Sequence, residues 1–290
     1  MVIVAGPGVA TAIRNQFGAV TGVLTNGISK GDWEAGGGGS GSGTTSDVDI
    51  YDPMNGTAFA VYSEDDHSLM FYKRRGVPKV GDMFNYRRVT EVYMGFENTT
   101  YASISVGEDA TGCPSINNGD TNCPWYAHHN DVESVSIIDS GIKPITMKYW
   151  FQRFTQCKTF NLSKLDASRV WSLQHAFWLC ESVCDLDLSV FATSPLKQLD
   201  SAMSGCSSLE SVDLTGWKTM TNPQIVFSVC PRLKIIKAPS LVSLSGDCQS
   251  MLRACPVLVF DCSSLNVSEV TNHTNFNLNS PGVTLPKVWR

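Results

Sequence analysis

Leu199-Asp200-Ser201-Ala202-Met203-Ser204-Gly205-Cys206, continuing as Ser207-Ser208-Leu209-Glu210-Ser211-Val212-Asp213-Leu214, carries two periodicities back to back. Counted from Cys206, the apolar residues at −7, −4, −3 and 0 fall on one face of a helix, because side chains three and four apart lie one above the other. After the cysteine the pattern changes to Leu209, Val212 and Leu214, an L-x-x-L-x-L run whose end alternates as a half-buried strand does. The stretch therefore predicts a unit of helix, cysteine, turn and strand.

The unit repeats on both sides. Cys157, Cys180, Cys206, Cys230 and Cys255 follow one another at 23, 26, 24 and 25 residues, a repeat signature more than a crosslinking plan. Leu173, Ala176 and Phe177 precede Cys180, Val226 and Phe227 precede Cys230, and Met251 and Leu252 precede Cys255. The first unit keeps Trp150 and Phe154 but has Arg153 at −4. Pro231 and Pro256 directly follow their cysteines, and a residue before proline is pushed out of the α region, so each helix is expected to stop there. Leu186 with Leu188, and Val212 with Leu214, then face inward, leaving Asp187 and Asp213 outside. The ladder cysteines read as small buried apolar groups. The expected fold class is α/β, a leucine-rich-repeat solenoid of helix plus strand per repeat, preceded by a small antiparallel β region and a flexible N-terminal anchor. No unit hides its apolar stripe alone; stacking stabilises it, at roughly 1.5–3 kcal/mol per fully buried large side chain.

Leu162-Ser163-Lys164-Leu165-Asp166-Ala167-Ser168 and Leu186-Asp187-Leu188-Ser189-Val190-Phe191-Ala192-Thr193-Ser194 resemble the Asp-Leu-Ser element of BspA-like leucine-rich-repeat surface proteins, bacterial or phage-encoded. Met203-Ser204-Gly205-Cys206-Ser207-Ser208-Leu209 and Val212-Asp213-Leu214-Thr215-Gly216-Trp217 resemble it too. The resemblance spans about 132 to 262 and implies adhesion and recognition, with no catalytic residues to transfer. It departs at the loops that enter each helix, where Arg169-Val170-Trp171 and Pro195-Leu196-Lys197 replace the usual Asn-Val-Thr.

Composition divides the rest of the chain. Residues 1–35 are weakly apolar and read as an anchoring segment; 36–46, with Gly36-Gly37-Gly38-Gly39-Ser40-Gly41-Ser42-Gly43, form a Gly/Ser linker. Residues 47–131 read as a small β region: Ala58-Phe59-Ala60-Val61-Tyr62 and Leu69-Met70-Phe71-Tyr72 flank a short polar turn and are expected to pair as a hairpin. The solenoid is placed at 132–265, and 266–290 is a cap or tail. The net charge of −5 with 17% charged residues argues against nucleic acid. No run of 18 apolar residues is present, so no membrane span is expected, and Met1 to Ala12 lacks the pattern of a secretion signal.

Catalytic and metal chemistry find little support. Val2-Ile3-Val4-Ala5-Gly6-Pro7-Gly8 resembles the start of a phosphate loop but lacks the βαβ unit that a dinucleotide site requires. Cys113, Cys123, His128 and His129 are too widely spaced for a zinc knuckle, though the two cysteines could form a local disulfide. No G-x-S-x-G elbow accompanies His67, His128, His129, His175 or His273. No enzyme activity, cofactor or metal is expected. Trp125 and Tyr126 are read as buried at the junction with the solenoid in preference to stacking on a ligand. Candidate binding residues are the outward strand positions Asp185, Asp187, Ser211, Asp213, Ile235 and Lys237. The function expected is non-enzymatic recognition or adhesion: a virion fibre or decoration protein docked onto a capsid or tail protein by residues 1–35, meeting a host-surface protein or glycan. A bacterial cell-surface adhesin in an extracellular setting and a ligand-free structural spacer are the other readings. A homo-oligomer is compatible with each.

Overall fold

The fold is a computed structural model that describes residues 50–101 and 123–290. The anchor, the Gly/Ser linker and the Cys113–Cys123 pairing lie outside the described residues. In chain order the strands are β1 (Thr57–Ser63), β2 (Ser68–Arg74), β3 (Met83–Phe84), β4 (Arg87–Arg88), β5 (Glu91–Met94), β6 (Ser134–Ile137), β7 (Thr159–Asn161) and β8 (Asp185–Asp187). They continue as β9 (Ser211–Asp213), β10 (Thr219–Thr221), β11 (Ile235–Lys237), β12 (Ser243–Asp247), β13 (Phe260–Asp261), β14 (Asn266–Asn272) and β15 (Val283–Thr284). Among the described residues there is no α-helix; the only helical pieces are short 3-10 turns.

This corrects the expected α/β class: the chain is an all-β solenoid of about six coils, without the helix-plus-strand unit of a leucine-rich repeat. The burial pattern at −7, −4, −3 and 0 is present, since Leu199, Ala202, Met203 and Cys206 are fully buried. The backbone that carries it is not a helix. Ser201 and Gly205, at −5 and −1, have φ of 51° and 73°, and the same two positions are left-handed as His175 and Leu179, Ile225 and Val229, Ser250 and Ala254. Left-handed residues break a right-handed helix. The N–H groups of Ser201, Met203 and Gly205 donate to the carbonyls of Gln224, Val226 and Ser228 on the next coil, while Ala202 and Ser204 bond three residues back. Alternate amides thus stitch coil to coil, and the segment is a wound arc.

The arc also re-registers the cysteine ladder. Phe151 N–H donates to the carbonyl of Ala176 and Arg153 N–H to that of Trp178, which places Phe154, not Cys157, opposite Cys180. Beyond Cys255 the position is held by Ser280, again followed by proline, so the coil pattern continues past 265. Each ladder thiol points its Sγ at a carbonyl of the preceding coil: Cys180 to Phe151, Cys206 to Phe177, Cys230 to Met203 and Cys255 to Phe227, at 3.0–3.2 Å. Burial pushes the Cys206 thiol up to about 12 and those of Cys180 and Cys230 well above the usual range, so these groups stay protonated.

At the N-terminal side β1 pairs antiparallel with β2 and β5, and β2 runs parallel to β6, which runs parallel to β7. The hairpin therefore continues the first coil's sheet and closes that end of the stack. Its inner face packs on an aromatic cluster in which Trp125 and Trp150 meet edge to face at 5.1 Å. Trp125 is fully buried, its indole N–H donating to the Trp150 carbonyl at 2.6 Å, and Tyr126 is buried too. Lys73 with Glu97 and Arg74 with Asp139 tie β2 to the loops around it, at 2.9 Å each.

Candidate functional site

Two parallel sheets run along the stack. In the first, β8, β9 and β11 align Asp185 with Ser211 and Ile235, and Asp187 with Asp213 and Lys237. Leu186, Val212 and Ile236 point into the core between them, because strand side chains alternate. The structure thus brings the six candidate residues into two adjacent columns on one face.

Most of their polar capacity is used within the chain. Asp187 Oδ1 accepts from the Ser189 amide at 2.9 Å and Asp213 Oδ1 from the Thr215 amide at 2.8 Å; each carboxylate closes the turn that leaves its strand. The Ser211 hydroxyl donates to Asp185 Oδ1, and Lys237 Nζ reaches Asp213 Oδ2 at 2.7 Å. Lys237, and then the Thr215 hydroxyl, hold the Asp213 carboxyl below the usual carboxylate range. One step along the rung, Lys234 pairs with Glu210 at 2.7 Å. Ile235 is different, 57% exposed, and Val259 on the next coil is 76% exposed, its amide bonded to the Lys234 carbonyl.

A second face escaped the sequence reading. In β10, β12 and β14 the aligned outward residues are Thr219, Ser243 and Asn266, with Thr221 beside Ser245 in the next column. All are uncharged. The alternation Thr219-Met220-Thr221, Ser243-Leu244-Ser245 was visible as a second strand signal, but it falls where the expected repeat allowed only a connection.

Each histidine ring is engaged by an aromatic neighbour, and His67 and His128 share Tyr62. His128 stacks on Tyr62 at 3.8 Å with its Nε2 3.1 Å from Glu91, His129 stacks on Tyr126 at 4.4 Å, and His175 stacks on Tyr149 at 5.1 Å. Burial pushes His175 down to about 4, which keeps it neutral at ordinary pH. Among the described residues no group of three or more His, Cys, Asp or Glu has a geometry that could hold a metal ion. None of their helices is long and apolar enough to cross a membrane.

Comparison with known proteins bears on the stretch from which the leucine-rich-repeat resemblance was drawn. No curated protein and no solved structure matches the chain. The helix-free coils overturn the BspA-like assignment, and with it falls the adhesion role built on that family, whether as virion fibre or as cell-surface adhesin. What the chain does resemble, over residues 145–233 and so less than a third of its length, is a family described as Mycoplasma protein of unknown function, DUF285.

Proposed function

We propose that the chain is a non-catalytic binding scaffold, a stiff coil stack that offers the face of β8, β9 and β11 to another protein surface. The observation that carries this reading is polarity along the stack. On that face the rungs of β8 and β9 carry Asp185, Asp187, Glu210 and Asp213. The rung of β11 carries Lys234 and Lys237, which reach back to Glu210 and Asp213 of the rung before it. Beside these charges Ile235 in β11 and Val259 on the next coil are exposed. A surface with adjacent acidic and basic halves is complementary to its own half-turn, and isologous dimers are built on such self-complementarity. A second copy of the chain is therefore the partner the geometry favours.

Sedimentation velocity of the intact chain tests it. A monomer–dimer equilibrium should appear at low salt and weaken as the screening length shrinks from ~10 Å at 0.1 M to ~3 Å at 1 M. Ile235→Asp should shift it to monomer without altering the melting temperature. A chain that stays monomeric at low salt and high concentration defeats the proposal.

A further inference from the structure

The last coil turns through His273-Thr274-Asn275-Phe276-Asn277-Leu278 and is covered by the 3-10 turn Lys287–Trp289. Between them lies a half-open hollow of about 220 Å³. At ~30 Å³ per water that is room for roughly seven waters, or for one six-membered ring with its substituents. Phe276 and Leu285 supply an apolar floor, Trp289 forms a wall, and His273, Asn275 and Asn277 add polar groups. The Trp289 indole is braced on one face by His273, stacked nearly parallel at 4.5 Å, and edge-on by Phe276 at 5.0 Å.

Three features define what would fit. The lining contains no Asp, Glu, Lys or Arg, so an ion would find no counter-charge. Among the described residues, the side chains of Asn275 and Asn277 make no hydrogen bond, and each amide offers both donors and an acceptor. The remaining wall is aromatic and aliphatic, a surface for the C–H face of a ring. We infer that this hollow is a binding site for a neutral, polyhydroxylated ring, a single sugar unit, held by the Asn275 and Asn277 amides against the Trp289 indole.

Nothing in this site depends on the face of β8, β9 and β11, so either idea can fail alone. The test is an NMR titration of the full-length chain, read on the indole N–H signals of its seven tryptophans, with glucose, galactose and N-acetylglucosamine as probes. The signal that disappears in Trp289→Phe should move saturably with at least one neutral sugar and stay still with glucuronate and glucosamine. Asn277→Ala should weaken that binding roughly tenfold or more, equivalent to about 1.4 kcal/mol, with an unchanged melting curve. His273→Ala serves as a second variant should Asn277→Ala fold poorly. The inference is overturned if the Trp289 signal moves with none of the neutral sugars, moves equally with the charged ones, or moves as readily in both variants.

Discussion

The strand face of β8, β9 and β11 and the arc that runs from His175 to Cys180 and its equivalents are both ladders of coil-to-coil hydrogen bonds, yet they tolerate change very differently. On the strand face the backbone is ordinary extended chain, and the outward residues vary from Asp185 to Ser211 to Ile235. On the arc, two positions per coil are left-handed and one is a fully buried small residue, Cys180, Cys206, Cys230 or Cys255. The difference teaches that the arc holds the fold in place while the strand face is free to carry function.

The largest expected effect comes from breaking the arc. Cys206→Glu places an unpaired charge at a fully buried position where the Sγ meets the Phe177 carbonyl, and loss of cooperative unfolding by circular dichroism is expected. A variant that melts like the parent would contradict the placement of Cys206.

Acid probes the same region without a mutation. His175 is neutral in the folded chain down to about pH 4 but takes a proton near its ordinary value, ~6.5, once unfolded. Between those two values the unfolded state holds more protons, so stability falls as pH falls from 6.5 toward 4, by on the order of 3 kcal/mol over the full window. Denaturant titrations at pH 7 and pH 4.5 should differ accordingly, and His175→Asn, which suits the left-handed φ of 53°, should shrink the difference. Equal pH dependence in the two proteins removes His175 as the cause.

Glycine at −1 ranks next. A Cβ on Gly205 would lie 2.4 Å from Leu179 Cδ2, at a φ of 73° that disfavours side chains, so Gly205→Ala should cost about 1–3 kcal/mol in chemical denaturation. The reverse change is informative at Val229, where a β-branched residue occupies a φ of 59° and is 46% exposed. Val229→Asn should raise stability by about 1 kcal/mol, and a loss would mean that the valine packs more usefully than its backbone costs.

The smallest effect belongs to the strand face. Lys237→Ala removes an exposed pair with Asp213 and should change stability by under ~1 kcal/mol, since such pairs are screened by water. A larger loss by the same denaturant assay would move Lys237 from the surface ledger to the structural one and blur the contrast between the two regions.

The sequence by itself determined the coil length, most of the buried residues from Leu173 to Cys255 and the outward positions of β8, β9 and β11, because period and apolar spacing report which side chains leave water whatever the backbone does between them. It could not separate a helix from an arc. Burial at −7, −4, −3 and 0 suits both, and the distinction lies in where the Met203 amide finds its acceptor: four residues back in a helix, or the Val226 carbonyl one coil on. It also hid the end of the ladder, where Ser280 replaces cysteine and its hydroxyl reaches the Leu252 carbonyl instead. Only the stacked structure decided these points, since a left-handed residue such as Ile225 or Ser250 is held there by bonds to the neighbouring coil, a contact that no local pattern of amino acids records.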